Sequence, residues 1–408
     1  MKVLQINTSG NTAAPGKIAE EIGRLLIRHG HSSIIAYGRK HRPSQSNLRK
    51  IGNIGDVALH GLHTRVFDNH GFGSYKATCD FVRELKDIDP DIIHLHNIHG
   101  YYLNIGVLFE YLKTAGKPVV WTLHDCWPFT GHCSFYDFAN CEKWKTECNH
   151  CPNKHAYPKS WFIDNSRKNF IRKREIFTGV PNLFLVAPSQ WLVNQVKESF
   201  LSKYPISLIN NGINLSVFRP ALNLSEISYQ QDLSGKFVII GVANVWDRRK
   251  GFDDFIKLSS LLSHDESIVL VGLNKKQLLN LPQNIIGIER TDNVEQLACL
   301  YGLADVFVNP TYVDNFPTTN IEALACGTPV VSYNTGGSPE AISDETGFIV
   351  SKGDVNGLLQ AIREIFSRGR GHYKNKCRQR AESNYDANIL FKRYIDLYVE
   401  ITSDALTF

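Results

Sequence analysis

The chain runs to 408 residues, more than the roughly 100–200 of one typical domain, so two domains with separate cores are expected. Its 43% hydrophobic and 21% charged residues exclude a disordered or fibrous protein; neither a secretory signal nor the roughly 18–20 apolar residues of a spanning helix is seen, which points to the cytoplasm. The formal charge of +5 is uneven: residues 1–215 carry 26 Lys and Arg against 17 Asp and Glu, and residues 216–408 carry 19 against 23, so the amino-terminal half suits an anionic partner such as a membrane surface or a phosphorylated lipid, unless its charge is only solvated.

From the amino terminus, short β-branched runs alternate with longer amphipathic ones: Val3–Ile6, Ile18–Ile27, Ile34–Tyr37, Ile92–Leu95, Leu103–Leu112 and Val119–Leu123. The alternation predicts a parallel sheet with crossover helices. Residues 7–20, holding Gly16, read as a flexible loop at the carboxyl end of the first strand, where ligands of open α/β sheets collect. The loop lacks Gly-x-Gly-x-x-Gly, which counts against a dinucleotide-dependent enzyme. His94, His96 and His99 cluster at the next strand end, and His124 and Asp125 at the one after. Such histidines either line a ligand site or sit satisfied in a core.

Residues 126–160 form a Cys-rich insertion in which Cys133, Cys141, Cys148 and Cys151 read Cys-x7-Cys-x6-Cys-x2-Cys. In a reducing compartment four thiolates suit a closed structural zinc site, with His132, His150 and His155 as neighbours or substitutes; an unliganded cysteine-rich loop is the alternative. Residues 161–177 mix Trp161, Phe162, Phe170 and Phe177 with Arg167, Lys168, Arg172, Lys173 and Arg174. They read as a basic aromatic helix that either lies on a membrane or packs in the domain. Nucleic acid is disfavoured, because no binding module accompanies these charges.

The first domain is placed at 1–217 and a polar linker at 221–235. The second domain, 218–385, repeats the alternation in Phe237–Val242, Ile268–Val271, Val306–Val308 and Val330–Tyr333, with helices at about 251–263, 294–303, 318–326 and 354–367. After its first strand come Asn244, Asp247, Arg248, Arg249, Lys250 and Gly251, three cations where a departing diphosphate needs neutralisation; a solvated basic cluster is the alternative. After the strand ending at Asn309, residues 310–337 hold Asp314 on a loop and Glu322 on a helix opening at Thr318 or Thr319. Exposed amides there offer a phosphate site, Glu322 can accept from ribose hydroxyls, and Asp314 can address a transferred sugar; a helix-dipole pairing and a turn cap are the alternatives. The segment 386–408 has a helical apolar period and should pack onto something.

This last motif closely resembles the Glu-x7-Glu signature of the large retaining glycosyltransferase family with the GT-B fold, family 4 of group 1. Members commonly show Glu-Gly-Phe-Gly where this chain has Asp314-Asn315-Phe316-Pro317, so the first carboxylate is one methylene shorter. Lys250 matches the family lysine, whereas Asn244 stands where many members have arginine, for which Arg248 or Arg249 could substitute. The resemblance spans nearly the whole chain and implies an α/β protein of two Rossmann-like domains with a donor/acceptor cleft between them. It assigns catalytic roles to His124, Lys250 and Asp314. Donor binding falls to Gly16, Asn244, Arg248, Arg249, Lys250, Asp314, Asn315, Phe316, Pro317, Thr318, Thr319 and Glu322. Asp125, His96 and His99 are left to the acceptor side.

The implied reaction moves a sugar, with retained configuration and no cofactor, from a UDP- or GDP-sugar to a saccharide acceptor. The leaving diphosphate helps to deprotonate the attacking hydroxyl. The chain looks most like bacterial colanic-acid, capsule and O-antigen enzymes, which implies a lipid-linked acceptor, contact with the inner face of the cytoplasmic membrane, and a final helix that returns to the first domain. The alternatives are an inverting or epimerising GT-B relative and a catalytically silent subunit.

Overall fold

The computed structural model describes residues 1–220, 233 and 235–404. Residues 221–232 and 234 of the expected linker, and 405–408 of the expected terminal segment, lie outside the described residues. Two units emerge, one of Met1–Asn210 with the chain from Leu390 onward, the other of Asn211–Ile389. The first unit therefore ends seven residues before the expected 217. The cause is local: Ile213 donates to the carbonyl of Tyr385 and accepts from Ala387, at 2.9 and 3.0 Å, which ties 211–217 into the second unit.

The first unit is built on strands β1 (Lys2–Asn7), β2 (Ser32–Tyr37), β3 (Asn47–Lys50), β4 (Ile92–Leu95), β5 (Val119–Thr122), β6 (Leu183–Ala187) and β7 (Ile206–Leu208). All pair in parallel, in the order β3-β2-β1-β4-β5-β6-β7. The central strands are buried on both faces, which is why they read as continuous apolar runs. Helices α1 (Ala13–Arg28), α2 (Ile54–Phe67), α3 (Tyr75–Ile88), α4 (Ile105–Thr114), α5 (Ser166–Phe177) and α6 (Gln190–Lys197) connect them. The loop expected over 7–20 is shorter, because α1 already begins at Ala13; Pro15 sits in its first turn, where a missing N–H costs nothing.

The second unit repeats the plan with β8 (Phe237–Val242), β9 (Glu266–Val271), β10 (Ile285–Ile288), β11 (Val306–Asn309), β12 (Val330–Tyr333) and β13 (Gly347–Val350), ordered β10-β9-β8-β11-β12-β13. Its helices are α7 (Phe252–Ser259), α8 (Lys275–Leu278), α9 (Val294–Leu303), α10 (Thr318–Ala325), α11 (Val355–Arg368) and α12 (Arg370–Asn384). In each sheet the winding reverses beside the first strand, at β1/β4 and at β8/β11, so a crevice opens at the carboxyl ends of those strands.

The last helix, α13 (Ala387–Asp404), buries Phe391, Tyr394, Tyr398 and Ile401. The hydroxyl of Tyr394 accepts from Thr122 of β5 at 3.3 Å, and that of Tyr398 meets Nδ1 of His94 on β4 at 2.6 Å. No helix among the described residues is long and apolar enough to cross a membrane.

Candidate active site

In the second unit, the crevice beside β8 is bounded by the loops that leave β8 and β11. Asp247 caps a 3-10 turn, Arg248–Lys250, by accepting from the Lys250 amide at 2.9 Å. Gly251 then turns the chain with φ +75; a Cβ there would lie 2.3 Å from the carbonyl of Pro310, so only glycine lets the two loops touch. Tyr312 donates its amide to the carbonyl of Arg249 at 2.8 Å, and Arg249 returns Nη1 to the carbonyl of Val313 at 3.1 Å.

This lacing brings Lys250 and Asp314 into an ion pair whose side chains are 20% and 19% exposed. Burial pushes the Asp314 carboxyl up, but Lys250, Arg249 and the Asn315 amide outweigh it and hold it below the usual carboxylate range. From the far side Gly336, with φ +54, packs so that a Cβ would meet the Asp314 carbonyl at 2.0 Å, and Gly337 donates to that carbonyl at 3.1 Å. Of the two candidate arginines, Arg249 is half-buried and holds the acidic loop, while Arg248 is exposed.

Beyond Asp314, Asn315, Phe316 and Pro317 are buried and lead into α10, which opens with the half-buried Thr318 and Thr319. The Phe316 ring packs on Tyr385, and its carbonyl accepts from Asn211 at 3.0 Å. Glu322 lies on the second turn of α10, half-buried, its Oε2 accepting from the Tyr301 hydroxyl at 3.0 Å. Sequence reasoning passed over Asn320, whose fully buried amide accepts from Asn309 at 2.8 Å and donates to the Ser338 carbonyl at 3.0 Å. It locks α10 to the end of β11.

Asn244 stands apart from that ion pair. It lines a cavity of about 490 Å³ with Trp246, Gly272, Asn274, Gln277 and Arg290, at the carboxyl ends of β8, β9 and β10. Neither Lys250, Asp314 nor Glu322 lines it. Sequence reasoning missed these walls, although Gly272 and Arg290 each stand within two residues of a strand end.

In the first unit, Gly16 belongs to the first turns of α1 rather than to a loop, and a Cβ there would sit 2.9 Å from both the carbonyl and the Oγ of Ser9. The histidines divide. His94 is enclosed by Thr122 and Tyr398 and does not line a crevice. Its pKa is pulled down to about 3 by burial and by His124. His96 and His124 stack, with His96 Nδ1 3.1 Å from His124 Nε2 and His96 Nε2 3.0 Å from Gln5 Oε1.

Gln5 donates its amide nitrogen to the Ala19 carbonyl at 2.8 Å, so its oxygen must accept from His96 Nε2–H. His96 Nδ1 then accepts, His124 Nε2 donates, and His124 is left with Nδ1 as an acceptor. Burial holds His96 well below its usual pKa; burial and His99 bring His124 down to about 4 against the pull of Asp125. Both rings are therefore neutral at pH 7. Asp125 receives His99 Nε2 at 2.9 Å and the Trp127 amide at 2.9 Å, while the Tyr157 hydroxyl reaches His99 Nδ1 at 3.2 Å. The site residues thus gather into two sets, one in each unit.

The basic aromatic helix expected over 161–177 is present but begins five residues later, and it packs in the domain, one of its two expected alternatives. α5 starts at Ser166 and turns Phe170 and Phe177 into the core. Lys173 is buried as well, donating to the carbonyls of Trp127 and Thr130 at 2.7 and 3.0 Å. Trp161, Phe162 and Ile163 precede the helix and remain exposed. They are stitched to α2, because Trp161 donates to the Arg65 carbonyl at 2.7 Å and the Arg65 guanidinium lies 5.9 Å from the Trp161 ring centroid.

Two family models match the chain, one described as Glycosyltransferase Family 4 over residues 16–217 and one as Glycosyl transferases group 1 over residues 236–368. A colanic acid biosynthesis glycosyl transferase of Escherichia coli, WcaC, is 26% identical over 420 aligned residues, covering 98% of this chain and 99% of the relative. Among solved structures, a sucrose-phosphate synthase of Thermosynechococcus elongatus superimposes with TM-score 0.73 at 18% identity, over 99% of each chain. HepE of Anabaena, crystallised with UDP-glucose, gives TM-score 0.68 at 14% identity, over 98% of this chain and 100% of its own.

Proposed function

Because the chain belongs to the glycosyltransferases of group 1 and family 4, with the GT-B fold, we propose that it transfers a sugar from a nucleoside diphosphate sugar to a lipid-linked saccharide, retaining the anomeric configuration, during assembly of a surface polysaccharide. The observation that carries this reading is the Lys250–Asp314 pair at the reversal of the second sheet. As the glycosidic bond breaks, charge develops on the leaving diphosphate. A fixed ammonium at that place stabilises it with no metal ion, and little reorganisation is needed because Lys250 is already held. Asp314 stays ionised and accepts from sugar hydroxyls. Asn315 to Thr319 present the start of α10 to phosphate oxygens, Glu322 takes the ribose, and the cavity lined by Asn244 has the size of a small-ligand pocket.

In the first unit, His124 offers Nδ1 as an acceptor to a sugar hydroxyl, and Gly16 lets backbone approach the transferred group. His96 serves by fixing the His124 tautomer. A lipid-linked acceptor is supported by the outer face of α2, where Ile54 and Leu59 are 81% and 69% exposed, and by Phe162, 72% exposed. Arg65, exposed on the same helix with its guanidinium 5.9 Å from the Trp161 ring centroid, adds a cation, so the face suits contact with an anionic bilayer.

One observation favours an inverting reaction instead: the His99–Asp125 pair has the form of a general base held by a carboxylate. Calorimetry with UDP-, GDP- and dTDP-sugars tests the donor reading; one of them binds, and Glu322→Ala abolishes that binding. Failure of all three to bind rejects the proposal. Anomeric analysis of the product separates retention from inversion.

A further inference from the structure

The Glu322 carboxylate, which the donor reading gives to the ribose, is itself held by a residue with no assigned part. Tyr301 stands in the last turn of α9 and is fully buried. Its ring packs edge-on against Phe307 of β11, 5.5 Å between centroids, and against Phe218 at 6.3 Å. Its carbonyl accepts from the Thr328 hydroxyl at 2.6 Å. Ring and backbone are therefore fixed together, all within the second unit. Packing alone does not account for the phenol oxygen. A phenylalanine would fill the same slot, whereas a buried hydroxyl requires a hydrogen-bond partner.

That partner is Glu322. The Tyr301 hydroxyl donates to its Oε2 at 3.0 Å, crossing from α9 to the second turn of α10. Burial first, and then the Glu322 charge, push the Tyr301 phenol well above its usual range, so it keeps its proton and acts as the donor. The bond sets the direction of a half-buried side chain that has three rotatable bonds of its own. α10 cannot drift beneath it, because Asn320, two residues earlier, accepts from Asn309 at 2.8 Å and donates to the Ser338 carbonyl at 3.0 Å. A carboxylate has about four acceptor positions, so a bond to Tyr301 is compatible with accepting from both hydroxyls of a vicinal diol.

We propose that Tyr301 is a positioning residue of the donor site: by holding Oε2 it presents the Glu322 carboxylate to the ribose hydroxyls before the nucleotide arrives, and so sets how strongly the site prefers an intact ribose diol. Preorganisation of this kind strengthens binding by reducing the side-chain freedom lost when the ligand is taken up. A site built to hydrogen-bond a hydroxyl also rejects the analogue that lacks it, because its polar groups are then left unpaired. Tyr301 is fully buried and reaches no ligand itself, so its effect passes through Glu322. The role rests on the nucleotide-sugar reading, and within it on the ribose contact of Glu322.

The test compares UDP with 2′,3′-dideoxyuridine diphosphate by calorimetry on the full-length protein, because the two share base and diphosphate and differ only in the diol. Wild type should bind UDP at least about tenfold tighter. In Tyr301→Phe, which removes one oxygen and keeps the ring, the preference should fall to about threefold or less through weaker UDP binding, with affinity for the dideoxy analogue unchanged within about twofold. Should that variant fail to fold, 3-fluorotyrosine at position 301 of the otherwise wild-type chain decides: its fluorine resonance should move further with saturating UDP than with the saturating analogue. A wild-type preference that survives in Tyr301→Phe, equal losses for both nucleotides, or one fluorine response to both overturns the role of Tyr301 while the ribose contact of Glu322 stands. Wild-type protein that binds UDP no better than the analogue removes that contact, and the role of Tyr301 with it.

Discussion

The pairing of Lys250 with Asp314 gives two neighbouring residues opposite effects on one ligand. Removing the ammonium removes a charge-assisted contact to phosphate, worth about 1.5–3 kcal/mol. Lys250→Met should therefore weaken UDP binding by at least about tenfold. Removing the carboxylate charge frees Lys250 from its partner, so Asp314→Asn should bind free UDP as well as or better than wild type while turnover of the sugar nucleotide falls. Calorimetry with UDP and initial rates with the matching sugar nucleotide check both. Equal loss of UDP affinity in the two variants would place Asp314 on the nucleotide rather than on the sugar. The residue types of this pair were legible from the sequence because both sit in short motifs at strand ends. The His124 tautomer was not, since Gln5, His96 and Ala19 are joined to it only by the fold.

Elements were legible where burial imposes a period and obscure where it does not. β3 was missed because it is a short edge strand with exposed or half-buried positions. α12 was missed for another reason: only Tyr373, Cys377 and Ala381, four residues apart, are buried, and two arginines hold it in place. Arg378 donates to the carbonyls of Phe218 and Ala325 at 2.7 and 3.0 Å, and Arg380 to that of Ala341 at 2.6 Å. Charge here does the work that an apolar stripe does elsewhere. α2 is the reverse case, a helix whose apolar side chains face outward. Its Leu59 and Leu62 make little of the core, so Leu59→Ser with Leu62→Ser and Phe162→Ser should leave the melting temperature within a few degrees. The same variant should lose most of its cosedimentation with vesicles containing anionic phosphatidylglycerol. Unchanged cosedimentation would reject this face as the membrane contact, and loss only of self-association would identify it as a contact between copies.

At the scale of the molecule the two units differ in what acid does to them. The first buries histidines in neutral form: burial and His63 bring His60 down to about 3, His94 lies at about 3 and His124 at about 4, and His70 and His96 are held well below the usual value. In the second, the described histidines, His264 and His372, are exposed. Above pH 6.5 the depressed groups are neutral folded and unfolded alike, so they add no pH dependence. As pH falls below 6.5 the unfolded chain takes up protons that the folded unit refuses, and stability declines until the folded pKa values are reached. Each such histidine costs about 1.4 kcal/mol per pH unit, so three acting together remove about 6 kcal/mol by pH 5, comparable with the ~5–15 kcal/mol of a whole domain. A loss of that size lowers a melting temperature by roughly 12–24 °C in units this large. Calorimetric scans from pH 7.5 to 5 should therefore show one transition moving down steeply and the other moving little, the latter being the one raised by UDP, which stabilises the unit that binds it. Equal acid shifts in both transitions, or none in either, would mean that the histidines of the first unit are not held neutral, and the acceptor assignment of His124 would fall with them.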